Sequence, residues 1–228
     1  MTNSVTSATV SVGRPTEPTD ADPGDRRAEH RRSTPEAILA AARVRLLADG
    51  YAGLSTRKVA QEAGVPLSQV HYHFGSKSGM VLALLEAENR RLLARQTRMY
   101  AVDAPLWRRY EQACDFLEDD LESGYVRILQ EMIAAAWSQP DLAAEIRRLI
   151  GGWYDLLTSV ATEAAERLGG LGPFTPAEVA TLVTAAFLGA EMMLLLGFDR
   201  HQIPVRSGLR RIGELIRAAE AAAPVVDR

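Results

Sequence analysis

Several features common in other protein classes are scarce in this chain of 228 residues. Its single cysteine, Cys114, excludes an intrachain disulfide, so the sequence does not imply an oxidising compartment. No apolar run near the N-terminus resembles a signal peptide. The most apolar stretch, residues 181–198, barely has the length of a membrane span and contains Glu191 and two glycines. We therefore expect this stretch to be a buried interface helix.

The sequence also lacks the residue patterns that usually carry catalysis or metal binding. His71 and His73 lie two positions apart, so on a helix they point to different sides and cannot share one metal ion. His30 and His201 have no neighbouring Cys, Asp or Glu at ligand spacing. Neither a glycine-rich phosphate loop nor a Gly-x-Ser-x-Gly turn is present. The sequence predicts no enzyme activity, no metal and no cofactor.

Apolar residues recur with helical spacing along the chain, and no alternating strand pattern is visible. We predict an all-α protein of about nine helices in three parts. Residues 1–33 are polar and predict a disordered tail with a basic end. Residues 34–80 predict a three-helix domain, whose first helix is capped by Thr34 with Pro35 at its first position. Residues 81–228 predict a second helical domain, and a long helix over residues 77–100 belongs to both domains.

Residues 54–80 have the pattern of a helix-turn-helix. Ser55 or Thr56 can cap a short helix, and Gly64 suits the left-handed position that ends it. Pro66 favours the start of a second short helix over residues 67–73. The second helix of such a motif enters the major groove of DNA.

The second short helix carries side chains suited to reading bases. Gln69 can bond adenine, Ser68 can bond several base edges and Leu67 can touch a thymine methyl. Basic and polar neighbours would hold phosphates, which fix register without reading sequence. The alternative is a polar helical hairpin that covers a core. The predicted DNA contacts are Arg31, Arg32, Ser55, Thr56, Arg57, Lys58, Leu67, Ser68, Gln69, His71, Tyr72, His73 and Lys77.

The distribution of charge agrees with this prediction, although the net charge is −3. Residues 26–80 hold nine basic and four acidic residues, whereas residues 81–228 hold sixteen basic and twenty-one acidic ones. The basic surface therefore coincides with the helix-turn-helix. An arginine-rich segment at residues 26–32 either follows the minor groove beside it or is a solvated tail.

The run from Ile38 to Met80 resembles the N-terminal domain of TetR-family transcriptional repressors. It departs from the family pattern at Pro66, Ser68 and His71, which affects the operator sequence rather than the fold. The resemblance implies a homodimer joined through its last two long helices and regulated by a small molecule. The matching residues are Ile38, Leu39, Ala41, Ala42, Gly50, Tyr51, Ser55, Thr56, Val59, Ala60, Ala63, Gly64, Val65, Val70, Tyr72, His73, Phe74, Ser76 and Lys77.

The second domain is predicted to form the dimer. A helix over residues 176–197 is apolar around most of its circumference, which requires burial on two sides. With a helix over residues 205–222 it makes the natural dimer pair. The alternative is a monomer in which the last helix alone covers this surface.

Aromatic and methionine residues of the second domain are candidate walls of a ligand pocket, although each alone is as well explained by a core. Glu191 is the sole charge between Val179 and Phe198. It either faces a pocket and a cationic or polar ligand, lies at the dimer rim, or pairs with an arginine. The predicted pocket residues are Trp107, Tyr110, Phe116, Met132, Trp137, Trp153, Phe187, Glu191 and Met193.

The sequence therefore predicts a cytoplasmic, homodimeric DNA-binding regulator, in which a ligand releases a repressor from operator DNA. The alternative is an effector-independent DNA-binding or architectural protein. The effector, the operator and the regulated genes are not determined by the sequence.

Overall fold

The computed structural model describes residues 23–198 and 202–223, with side chains described from residue 34 onward. This part of the chain forms nine α-helices and contains no strand, which confirms the all-α prediction. The helices are α1 (Pro23–Gly53), α2 (Thr56–Glu62), α3 (Leu67–Phe74), α4 (Lys77–Tyr100), α5 (Leu106–Ser123), α6 (Tyr125–Ala136), α7 (Pro140–Leu168), α8 (Pro176–Leu195) and α9 (Val205–Ala222).

The helix ends that depend on local hydrogen bonds lie close to where the sequence places them. Ser55 caps α2 by accepting the Lys58 amide, and Ser76 caps α4 by accepting the Gly79 amide. Thr175 and Glu178 form a capping box at the start of α8. Because each contact joins residues three apart, sequence spacing alone predicts it.

The start of α1 differs from its prediction. The helix begins at Pro23, and Pro35, which the sequence suggested as the first helical residue, lies inside it. Proline lacks one amide donor, but the preceding residues 24–33 include four arginines, one alanine and one glutamate, which favour helix formation. Near the other end, Gly50 leaves the helical region with φ 69° and ψ 171°, and one further turn follows it.

One hydrophobic core continues through both halves of the chain. The fully buried Ile38, Val59 and Val70 hold α1, α2 and α3 together, while Ile128 and Met132 of α6 belong to the same cluster. In the C-terminal half α7 packs along α8, and α5 packs along α9. The motif is thus supported directly by the larger helical part.

Helix α8 is unusually apolar and poorly covered. It has the length and composition of a membrane span, yet only 11% of its most apolar window is buried. Leu182, Met192 and Leu196 are exposed, and Ala180 and Ala190 are its two buried residues. A helix apolar on all sides requires a further covering surface.

Candidate functional site

Helix α3 has a polar face that is exposed to solvent and an opposite apolar face that packs against the core. Val70 is buried and Phe74 packs against the core, which fixes the rotation of the helix. Ser68, Gln69 and Tyr72 are exposed on the outside, and 82% of Tyr72 is accessible. The structure therefore brings together, on one surface, Ser68 and Gln69, which the sequence proposes for reading bases, and Tyr72, which it proposes for holding phosphates.

The remaining predicted DNA contacts are placed differently from one another. Leu67 and His73 are half-buried at the edges of α3, and the imidazole of His71 lies 3.1 Å from the Gly75 carbonyl oxygen. Ser55 and Thr56 sit at the start of α2 and are half-buried.

The two lysines of the chain already have partners inside the domain. Lys58 Nζ pairs with Asp49 Oδ2 at 3.0 Å. Lys77 Nζ donates to the Tyr51 carbonyl oxygen at 3.0 Å and lies 4.4 Å from the centre of the Tyr51 ring. Arg57, by contrast, is exposed and has no hydrogen bond or ion pair among the described residues, so it is the better placed to meet a phosphate. The side chains of Arg31 and Arg32 lie outside the described residues, and their DNA contact stays a prediction.

A cavity of about 110 Å³, partly open to solvent, lies within the C-terminal helices. It is enclosed by α4, α5, α6, α7 and α8, and its walls are mainly aliphatic and aromatic. Such a mainly apolar cavity with a few polar groups is the usual form of a small-molecule site. Its lining residues are Gln96, Tyr100, Tyr110, Ala113, Leu117, Asp120, Tyr125, Val126, Leu129, Ile150, Trp153, Leu157, Val183, Thr184, Phe187, Leu188 and Glu191.

Four of the nine pocket residues proposed from sequence line this cavity: Tyr110, Trp153, Phe187 and Glu191. The other five lie elsewhere, because helical rotation directs them to other surfaces. Trp107 stacks with Arg217 of α9, Phe116 lies against Arg95, Met132 is fully buried in the shared core, Trp137 is 84% exposed after α6, and Met193 does not line the cavity.

Glu191 is the one carboxylate in the cavity without a cationic partner among the described residues. Its Oε2 accepts a 2.9 Å hydrogen bond from Gln130 Nε2, a neutral donor. Burial, partly offset by that hydrogen bond and reinforced by the negative charge of Asp120, raises the pKa of Glu191 to about 7.

Asp120 is the second cavity carboxylate, but it is already paired. Arg95 Nη2 contacts both of its oxygens, at 2.8 and 2.7 Å. Burial nevertheless raises the pKa of Asp120, and the pairing with Arg95 opposes that rise. The sequence contained a signal for this residue, because Asp120 lies on the same helical face as Ala113 and Leu117. Gln96 is placed similarly, on the buried face of α4 that includes Met99.

Asn89 orients two aromatic side chains of the cavity. Its Oδ1 accepts hydrogen bonds from Tyr125 Oη at 3.2 Å and Trp153 Nε1 at 2.6 Å. Two other hydroxyls in the lining, those of Tyr110 and Thr184, are buried and have no nitrogen or oxygen partner among the described residues. Buried polar groups without partners are uncommon, so these hydroxyls are available to a bound molecule.

The cavity is connected to the helix-turn-helix through Tyr51, at the end of α1. The Tyr51 amide donates to Glu131 Oε2 of α6 at 2.5 Å, and its hydroxyl lies 2.9 Å from Ser78 Oγ of α4. Its carbonyl is the acceptor for Lys77. Both helices that hold Tyr51 also line the cavity, α4 through Gln96 and α6 through Tyr125.

The junction between the halves is also sterically close. A Cβ atom added at Gly124, between α5 and α6, would lie 2.7 Å from Leu47 Cδ2 of α1. Arg127 Nη1 donates to the Leu47 carbonyl oxygen at 2.9 Å.

In the described part of the chain, no group of three metal-ligating side chains is found.

Comparison with known proteins agrees with this geometry. Residues 38–84 match the model of the bacterial regulatory proteins of the tetR family. No curated protein matches the chain. The N-terminal domain is therefore a TetR-family DNA-binding domain, in agreement with the sequence prediction.

Solved structures of transcriptional regulators have the same fold. A putative TetR-family regulator from Rhodococcus sp. is 22% identical with a TM-score of 0.67, over 81% of this chain and 98% of that one. FadR from Bacillus subtilis, solved with stearoyl-CoA, is 14% identical with a TM-score of 0.67 over the same shares. A putative regulator from Saccharomonospora viridis, solved with choline, is 21% identical with a TM-score of 0.66, over 82% and 96%.

Proposed function

We propose that this chain, which carries the TetR-family DNA-binding domain, is a cytoplasmic homodimeric repressor that a small molecule releases from its operator. The observation that carries the proposal is the connection of an exposed polar recognition helix to an apolar cavity through Tyr51. In this proposal residues 34–80 form the DNA-binding domain, and residues 81–228 form the effector-binding and dimerisation domain. We expect no catalytic step.

Base reading is assigned to the exposed face of α3. Gln69 and Ser68 meet base edges, and Tyr72 contacts the backbone beside them. Arg57 supplies a phosphate contact from α2, because its guanidinium has no partner within the described residues. The charge excess of residues 26–80 adds attraction that is independent of sequence.

Dimerisation is assigned to α8 and α9. Leu182 and Met192 of α8 are exposed, as is Leu196 directly after it, and Leu215 of α9 is 70% exposed. A second copy of the same surface would cover these residues and satisfy the apolar character of α8. Two recognition helices in one dimer would then read two half-sites along the duplex.

Release by a ligand is assigned to the cavity. Two solved structures with this fold hold small molecules, stearoyl-CoA in one and choline in the other, which supports a ligand here. A ligand that prefers one packing of α4 and α6 would shift Tyr51, and with it the spacing of the recognition helices. An effector-independent DNA-binding protein would not require a mainly apolar cavity beside these two helices.

Selection of DNA by the full-length protein from random duplexes tests the proposal. We expect a palindromic site with half-sites one helical turn or a multiple of it apart. Equal affinity for all duplexes would contradict sequence-specific regulation. A compound that binds the cavity should weaken operator binding, and the operator should weaken that compound by the same factor. Specific DNA binding that no cavity-bound compound alters would favour the effector-independent alternative.

A further inference from the structure

A second cavity continues the first one along the α7–α8 pair. It has a volume of about 150 Å³ and shares Tyr100, Tyr110, Leu157 and Val183 with the first. Since α7 and α8 are packed neighbours whose lining residues run in opposite order, the two cavities lie end to end.

The combined cavity is long. The α8 residues that line it extend from Glu191 in the first cavity to Val179 in the second. At 1.5 Å per helical residue, these positions are roughly 18 Å apart. On α7, Trp153 lines the first cavity, Leu157 lines both cavities, and Leu168 lines the second. The shape suits an elongated ligand.

Unpaired charge is confined to one end of this elongated space. In the second cavity the sole charged lining residue is Arg109, and Glu163 neutralises it with contacts of 3.0 and 2.6 Å. The remaining walls there are Tyr100, Tyr110 and aliphatic residues. That end therefore suits an apolar chain and offers no unpaired charge to a ligand.

The other end carries an unpaired acid. Glu191 has Gln130 as its hydrogen-bond partner, whereas the nearby Asp120 is held by Arg95. A buried carboxylate is stabilised when a cation approaches it. Tyr125, Trp153 and Phe187 line the same cavity, and aromatic rings attract cations through their π electrons.

We infer that the ligand is an amphiphilic organic cation, with an ammonium-type headgroup at Glu191 and a long apolar body between α7 and α8. This inference rests on the proposed function, which requires a ligand but does not specify its class. An anionic headgroup would meet the like charge of Glu191, with Asp120 close to it. A short cation would leave the second cavity empty and lose the apolar contact.

Titration calorimetry of the full-length protein without DNA tests the inference. The probes are decyltrimethylammonium, decanoate, decanol and tetramethylammonium, each below its micelle concentration. We expect decyltrimethylammonium to bind roughly tenfold or more tightly than decanoate, because the headgroup charge changes sign beside a buried carboxylate. Tetramethylammonium should bind weakly, because it lacks the chain that fills the second cavity.

Three variants assign the binding to the proposed atoms. Glu191→Gln keeps the shape of the side chain. It should lower the affinity for decyltrimethylammonium roughly tenfold and leave the affinity for decanol unchanged. Glu166→Gln is the matched control, since it removes an exposed carboxylate from α7 outside both cavities. Val183→Trp should obstruct the junction and reduce the affinity for decyltrimethylammonium toward that for tetramethylammonium.

Two results would overturn the inference. One is equal or tighter binding of decanoate by the unmodified protein, a result that no variant is needed to obtain. The other is equal cation affinity of Glu191→Gln and Glu166→Gln. Operator selection is measured separately. Specific DNA binding without cation binding would contradict only the inferred ligand class. Absence of specific DNA binding would contradict the proposed function, while the calorimetry would still test whether the cavity binds the cation.

Discussion

Gln130 and Glu131 are consecutive residues of α6, and they bond to opposite parts of the molecule. The Gln130 amide donates to Glu191 Oε2 in the cavity, at 2.9 Å. The Glu131 carboxylate accepts the Tyr51 amide at the end of α1, at 2.5 Å. A rotation of α6 that changes one contact must change the other, because both side chains are attached to one rigid helix.

The first prediction concerns this connection. Glu131→Ala removes the acceptor of the Tyr51 amide, so α6 loses a contact with the DNA-binding domain. We expect ligand binding to remain and the ligand-induced loss of operator affinity to shrink several-fold, within the usual range of allosteric coupling. Fluorescence anisotropy of labelled operator, with and without ligand, measures this factor. Glu166→Ala provides the control, and the same coupling factor in both variants would contradict the assignment.

The second prediction concerns base reading by α3. Gln69→Ala should lose about 1–3 kcal/mol of discrimination at one base pair that contains adenine, because a bidentate contact is removed. Binding to all single-base variants of the selected operator measures the effect. Gln112→Ala, an exposed glutamine of α5, should not change the profile. Identical profiles for the Gln69 variant and the unmodified protein would exclude this role.

The third prediction separates a phosphate contact from a structural lysine. Arg57→Ala should weaken binding to all sequences and reduce the slope of log affinity against log salt by about one. Lys77→Ala should instead lower thermal stability, because Lys77 loses its bond to the Tyr51 carbonyl and its contact with the ring. A reduced salt slope for Lys77→Ala without loss of stability would contradict the structural role and support the phosphate contact that the sequence predicts for Lys77.

The fourth prediction concerns pH. The pKa of Glu191 is raised from 4.5 to about 7, so the folded state binds this proton more tightly than the unfolded state. Its stabilising contribution is therefore complete below about pH 4.5 and is lost as pH rises through about 7. As pH rises across this interval, the melting temperature of Glu191→Gln should increase relative to that of the unmodified protein. Asp120, which is paired with Arg95, and Tyr125 are the titratable residues that interact with Glu191, and both proteins contain them. A constant difference would contradict the assignment.

Cation binding provides an independent measure of the same titration. A bound cation favours the ionised carboxylate, so its affinity should rise with pH up to about 7 and then level off. Binding near pH 6 should release protons, which calorimetry in buffers of different ionisation enthalpy detects. Glu191→Gln should show no such release.

The fifth prediction concerns the dimer. Leu182→Glu places a charge on the exposed apolar face of α8 and should weaken the dimer roughly tenfold or more, since an unpaired charge would be buried on association. Analytical ultracentrifugation measures the dissociation constant. Val102→Glu is the matched control, because Val102 is similarly exposed but lies between α4 and α5. An unchanged dimer would show that α8 is covered in some other way.

Predictions from the sequence missed the structure at several positions, for different physical reasons. Pro35 predicted the start of α1, but proline tolerates the first turn without requiring it, and the preceding segment continues the helix. Trp137 and Met132 have the composition of pocket residues, yet one is exposed and the other belongs to the shared core. Asp120 was overlooked, although its position on an apolar helix face marks it as a buried acid.

Local spacing of residues is enough to specify the helices and the recognition motif. Ser55, Ser76 and the pair Thr175 and Glu178 act over three residues, so their spacing is sufficient to locate helix starts. The tertiary structure alone decided which residues meet in the cavity and at Tyr51. Gln130 and Glu191 are sixty-one positions apart, and Tyr51 and Glu131 are eighty apart. Such pairs depend on the packing of whole helices, which no local pattern of residues encodes.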